Sequence, residues 1–154
     1  MLVGKQSFTF DPVSPKERET RYREALRYFE NAREILSSKA RKKDRYYEDG
    51  KYVRMACGTA YSGVLKALDA YLSLKGKPIH RKKYARISVD DYRKRLALID
   101  NGVLNRFNTS YQILHLDGYY DGLLNVDVIQ AGLHSFAEIL EEIKPSGIQV
   151  VSQF

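Results

Sequence analysis

Apolar residues recur every three or four positions along most of the chain. Tyr22, Ala25, Leu26, Phe29, Ala32 and Leu36 form one stripe, with arginines and glutamates opposite. That period predicts an amphipathic helix over about 15–42. Ser14 precedes it, Pro15 takes the first helical position and Glu17 lies three residues past the cap, a pattern that predicts a reciprocal capping box. Asp49-Gly50 breaks the pattern. A second helix of about 51–75 carries Met55, Ala56, Cys57, Ala60, Tyr61, Val64, Leu65, Ala67, Leu68, Tyr71 and Leu72, apolar on more than one face and therefore central. Gly58 and Gly63 cost it about 1 kcal/mol each against alanine, which suggests close approach of another helix. Gly76 and Pro78 end it.

Ser88 opens a third helix, with Asp91 three residues on, Tyr92, Leu96 and Ile99 facing inward and Asn101-Gly102 as its stop. A fourth, of about 103–116, carries Leu104, Phe107, Tyr111 and Leu114 at spacings of three and four. Asp117-Gly118-Tyr119-Tyr120-Asp121-Gly122 reads as a turn. Asn125 caps a fifth helix with Ile129, Leu133, Phe136, Ala137 and Leu140 as its stripe, stopped by Pro145 and Gly147. The expected fold is all-α: an antiparallel up-and-down bundle of four main helices plus one shorter helix. It forms a single domain over 1–154, with an N-terminal arm at 1–13 and a C-terminal tail at 145–154. Ser7-Phe8-Thr9-Phe10 and Ile148-Gln149-Val150-Val151 are strand-like.

Composition narrows the function. The chain has 154 residues, 44% hydrophobic and 29% charged, an ordinary globular balance. No apolar run nears the ~18 residues that span a bilayer, and the N-terminus lacks the continuous apolar stretch of a signal peptide. One cysteine, Cys57, allows no internal disulfide, so a cytoplasmic location is expected. Three histidines and one cysteine make no zinc site, and no metal or cofactor is expected. Gly58-Thr59-Ala60-Tyr61-Ser62-Gly63 lacks the lysine and hydroxyl that should follow in a phosphate loop. His134 and Glu138 are four apart, the spacing of an ordinary helix pair. Asp117, Asp121, Asn125 and Asp127 resemble a calcium loop in composition but not in spacing, and turn and cap roles explain them. On the buried second helix Cys57 serves as a small apolar residue.

Charge is the remaining signal. Net charge is +7, but residues 15–54 carry +5, residues 75–86 carry +6 with no acid, and residues 101–154 carry −4. Lys39, Arg41, Lys42, Lys43, Arg81, Lys82, Lys83 and Arg86 are the candidate contacts for nucleic acid or another anion. Solvated helix ends and loops are the ordinary explanation of such runs. The twelve tyrosines include Tyr46-Tyr47, just after Lys42-Lys43, and Tyr119-Tyr120. Tyrosine suits base stacking, protein interfaces and half-buried bundle ends alike.

The stretch from Ala56 to Leu72, with the charged first helix and the late Phe136-Ala137-Glu138-Ile139-Leu140, resembles HEPN-type helical domains over about 15–144, most of all their small bacterial members. The resemblance implies the bundle fold, a homodimer, and RNA, a nucleotide or a nucleotidyltransferase-like protein as partner, with no membrane. Active members are metal-independent ribonucleases with an arginine, a polar residue, and a histidine four to six residues past the arginine. No histidine here follows that pattern: Asn108, Thr109 and Ser110 precede His115 at the required distances, Asp127, Val128 and Ile129 precede His134, and Ser73, Leu74 and Lys75 precede His80. The expectation is a non-catalytic binding module with no catalytic residue. The alternatives are a divergent toxin–antitoxin ribonuclease using Arg106 and His115, and a purely protein-binding adaptor. On one helix, nine positions put Arg106 and His115 on opposite faces.

Overall fold

A computed structural model describes residues 13–81, 83 and 85–147. Five helices, two of them extended by π-type winding, account for most of them, so the fold is all-α. The strand-like segments expected at 7–10 and 148–151 lie outside the described residues, as does Lys82.

Helix α1 spans Pro15–Ile35 and continues to Ala40 in a wider, π-type winding. The Ser14 hydroxyl accepts from Glu17 N at 3.1 Å, as its position predicted. The capping box is only half made: the Glu17 carboxylate turns to Arg21 at 3.1 Å rather than back to the cap. Tyr22, Ala25, Phe29, Ala32 and Leu36 are buried, as the stripe required.

The chain then forms a small antiparallel hairpin, β1 (Lys42–Lys43) and β2 (Tyr46–Tyr47), where a continuation of the helix and a break were expected. Asp44 in the turn takes a positive φ of 57°, a conformation aspartate tolerates better than most residues. The hairpin is tied to a distant part of the chain. Tyr47 N donates to Leu124 O at 2.8 Å, and Val126 N donates to Arg45 O at 2.9 Å.

Helix α2 (Gly50–Leu74) is central, with α1 and the later helices Asn101–Ser110 and Val126–Ile143 all against it. Gly63 permits a close approach, with Tyr28 of α1 and Phe136 against its bare Cα. Met55 departs from the reading: it is half exposed, since it lies on the one face of α2 left open beside Gly58.

Helix α3 (Val89–Ile99) starts with a complete capping box between Ser88 and Asp91. Asn101-Gly102 does not stop the chain there. Asp100 is the whole break, and its carboxylate caps the next helix by accepting from Gly102 N at 2.8 Å and Val103 N at 3.3 Å. Helix α4 (Asn101–Ser110) then runs on as π-type winding through Tyr111–Tyr120, over residues that read as a turn. Gly118 explains the difference: its Cα lies directly against Cys57, where any side chain would collide. Helix α5 (Val126–Ile143) follows the sequence reading. Asn125 caps it by accepting from Val128 N at 3.0 Å, and Ile129, Leu133, Phe136, Ala137 and Leu140 are buried. Arg18 of α1 closes its far end, donating to Ile143 O at 3.0 Å and Lys144 O at 3.1 Å, where carbonyls lack helical partners. No helix among the described residues is long and apolar enough to cross a membrane.

Candidate functional site

The two basic runs flank opposite ends of α2. The hairpin precedes its first residue and the loop after Leu74 follows its last. At 1.5 Å per residue, the 25-residue helix between them is about 36 Å long. Lys39, Arg41, Lys42 and Lys43 therefore form one group, and Arg81, Lys83 and Arg86 another.

The loop group is the more cationic. Arg81, Lys83 and Arg86 are exposed. The loop is anchored rather than loose at its start. Lys77 N donates to Leu72 O at 2.8 Å, and Arg95 of α3 donates to Lys77 O at 2.9 Å and Pro78 O at 2.7 Å. Arg81 lies close enough to act on Asp69, which is partly buried and accepts from the Tyr92 hydroxyl at 2.8 Å. Burial raises the Asp69 carboxyl above its ordinary value, against the opposing pull of the Tyr92 bond and of Arg81, Arg21 and Lys66. The same pairing and burial push the Tyr92 phenol up.

The hairpin group is electrically mixed. Its cations stand among Asp44, Glu48 and Asp49. Beside it opens a cleft of about 710 Å³, lined by Glu30, Glu34 and Asp127 as well as Arg33 and Lys42, with Leu36, Tyr47 and Val126 among its walls. Gln130 donates to the Tyr47 hydroxyl at 2.9 Å on its rim. Three carboxylates against two cations make a poor seat for a phosphate.

The other notable site is aromatic. His115 stacks on Tyr61 at 4.4 Å between centroids, with Tyr111 at 5.3 Å, Tyr120 at 5.0 Å and Tyr119 at 6.0 Å. Burial pulls the His115 imidazole below its usual pKa. It pushes the Tyr61 phenol to about 12 and the Cys57 thiol to about 12, so Cys57 is a packing residue rather than a nucleophile. Arg106 does not meet His115. Its guanidinium pairs with Glu138 at 3.5 Å, and Glu138 lies 3.8 Å from His134, its neighbour one turn earlier. His80 is exposed in the loop. Among the described residues, no three His, Cys, Asp or Glu side chains gather to hold a metal.

Sequence reasoning missed one arrangement. Arg54 of α2 donates to Tyr119 O at 3.2 Å and also to Tyr120 O, holding the end of the π segment, and Gly122 lies beneath the guanidinium with φ 64°. Asp121-Gly122 marked the turn but nothing in the spacing pointed to Arg54. The result is a cluster of exposed side chains, Tyr46, Met55, Tyr119, Tyr120 and Leu124, at the hairpin end.

Both ends fall inside the part of the chain that has relatives. Residues 20–145 match a family model described as a domain of unknown function. A solved structure, a protein of unknown function from Dyadobacter fermentans, is 38% identical to this chain, with a TM-score of 0.70, over 82% of this chain and 94% of that one. No curated protein matches. The matched span takes in the core of all five helices, and the chain belongs to the DUF5618 family.

Proposed function

We propose that the chain is a non-catalytic, cytoplasmic, HEPN-like binding module, an antiparallel up-and-down bundle that contacts RNA through the loop of residues 75–86. The observation that carries this reading is charge. The loop holds six basic residues and no acid, and Arg81, Lys83 and Arg86 stand exposed on a segment braced by Arg95. Phosphate contacts of this kind need only clustered cations at a surface, and they release counterions on binding. The hairpin cations Lys39, Arg41, Lys42 and Lys43 are a weaker second contact, since acids interleave with them. The separation of Arg106 from His115 supports a non-catalytic role, because neither residue has the other as an acid–base or phosphate-holding partner.

The test is fluorescence anisotropy of a labelled single-stranded RNA pool at about 50 and 200 mM salt, the range over which phosphate contacts show a steep loss of affinity. Micromolar binding that collapses at the higher salt is the expected result. Charge reversal of Arg81, Lys82 and Lys83 to glutamate abolishes it. Unchanged affinity in that variant removes the loop from the account.

A second reading, contact with protein, is favoured by the exposed tyrosines at the hairpin end. The HEPN resemblance points there to a second copy or a nucleotidyltransferase-like partner.

A further inference from the structure

A ladder of rings runs along α4 and its π-type continuation. Phe107, Tyr111, His115 and Tyr119 are four residues apart, so successive turns set them on one face. Phe107 is buried at the start of the ladder, 6.3 Å from Tyr111 between centroids. The next rings come partly into solvent. Tyr111 meets His115 at 5.3 Å, and His115 lies nearly parallel to Tyr119, at an angle of 8° and 6.0 Å away. Tyr120 stands edge-on to Tyr119 at 5.1 Å, and these two are 59% and 44% exposed. Tyr61 of α2 backs the ladder from within, 4.4 Å from His115 and 6.0 Å from Tyr111. Gly58, nearly one turn before Tyr61, leaves the hollow in which the Tyr119 ring lies. Rings held in place before binding lose little freedom when they bind.

Charge decides what the ladder meets. At one end the Arg93 guanidinium lies over the Tyr111 ring at 5.0 Å, and its Nε donates to Asn108 Oδ1 at 2.8 Å. Arg93 belongs to α3, which opens directly after the basic loop, and Arg95 of the same helix braces that loop. At the other end Arg54 holds the carbonyls of Tyr119 and Tyr120. Between Asp100 and Asp117 the chain has no carboxylate, and Asp69 is the one acid of α2. The acids at the margin are engaged: Asp90 lies 3.7 Å from Arg93, Asp117 accepts from Gln112 at 3.0 Å, and Asp69 accepts from Tyr92. A protein surface of mixed sign finds no carboxylate along the rings for its own cations. Unpaired bases need none, because every base has a π face that stacks on tyrosine rings and guanidinium planes, while flanking cations take the phosphates. A duplex keeps its base faces stacked inside and could use only the cations.

We propose that this ladder is a stacking track for a single-stranded nucleic acid, with unpaired bases on Tyr111, Tyr119 and Tyr120 and the neighbouring phosphates on the loop of residues 75–86. The inference rests on the RNA reading and deepens it: the strand is unpaired, and rings hold it as well as charge. Burial keeps the His115 imidazole below its ordinary pKa, so at neutral pH it is an uncharged ring in the stack rather than a phosphate contact.

The experiment is fluorescence anisotropy of a labelled oligouridine of about 12 nucleotides against the full chain, at about 50 and 200 mM salt. The double variant Tyr119→Leu/Tyr120→Leu, changed only at exposed positions and checked for helicity by circular dichroism, should bind at least about tenfold more weakly. Its salt slope should match wild type, because the lost rings carry no charge. Duplex RNA of the same length should bind more weakly than the single strand and be indifferent to the variant. The chain has no tryptophan, so its tyrosine emission reports stacking directly: oligouridine should quench it, and quench it less in the variant. An oligodeoxyuridine arm separates the sugars. Weaker binding marks RNA as the occupant, equal binding marks an unpaired strand of either sugar, and both uphold the track. Undiminished single-strand affinity in the tyrosine variant, or duplex bound as tightly as single strand, overturns the track and leaves the loop contact standing. Binding that survives charge reversal of Arg81, Lys82 and Lys83 but falls in the tyrosine variant overturns the loop contact and leaves the track. No binding of any strand at low salt overturns both.

Discussion

Gly63 of α2 lies against Phe136 of α5 with no room for a methyl group: a Cβ at Gly63 would stand 2.6 Å from Phe136 Cζ and 2.7 Å from Tyr28 Cβ. Phe136 is fully buried and packs edge-on to Phe29 at 5.3 Å, so its ring has nowhere to retreat. Gly63→Ala should lower stability by about 1–3 kcal/mol, because overpacking outweighs the ~1 kcal/mol gain in helix propensity. Urea unfolding followed by circular dichroism checks this, and a stabilised variant would contradict the packing described.

Gly58 makes the instructive contrast. A Cβ there would stand 2.9 Å from the Tyr119 ring, but that ring is 44% exposed and can swing outward. Gly58→Ala should change stability by no more than about 0.5 kcal/mol, as strain and propensity offset. A urea melt followed by circular dichroism checks this, and a loss as large as that at Gly63 would show that the Tyr119 ring cannot give way.

Arg54→Ala removes a cation from carbonyls at a helix end. The side chain is exposed, so the expected loss is only about 1 kcal/mol, the low end for bonds to a charged group. The loss should be local, seen as faster hydrogen exchange at Asp121 and Gly122, whose amides donate to Leu116 O and Gly118 O at 3.0 Å each. Unchanged exchange there would show that the arginine holds nothing.

Asp69 sets a pH dependence. Burial raises its folded pKa above the ordinary 3.8, so the folded state takes up a proton more readily than the unfolded chain. Its contribution to stability is present in full below 3.8 and is lost as pH rises through the folded value. Asp69→Asn, which can still accept from the Tyr92 hydroxyl, should melt higher than wild type at neutral pH. The gap should close as pH falls toward the ordinary carboxylate value. Thermal melts across that range test the sign, and a variant less stable at neutral pH would mean that Arg81, Arg21 and Lys66 outweigh desolvation.

Much of this was legible in the residues. The α5 stripe and its Asn125 cap follow from spacing and side-chain chemistry, and so does the length of α2. The sequence reading took the two basic runs as one set of contacts, and the structure sets them at opposite ends of α2. The hairpin was not legible, because Lys42-Lys43 and Tyr46-Tyr47 are too short to alternate and are held by contacts with Leu124 and Val126, far along the chain. Asp117-Gly118 carried a turn signal that tertiary packing overrode, because the glycine serves the approach to Cys57 rather than a reversal of the chain. The patch of exposed tyrosines could not be read from local pattern, since three separated segments build it.

The bonds from Tyr47 to Leu124 and from Val126 to Arg45 tie the residues leading into α2 to those leading into α5. Opening that junction would release the start of both helices at once, although almost eighty positions of chain lie between them. The amides of Tyr47 and Val126 should therefore exchange with solvent at a common rate, as members of one cooperative unit. A disturbance on either segment is felt by the other, and the hairpin acts as a clasp whose failure loosens two walls of the core together.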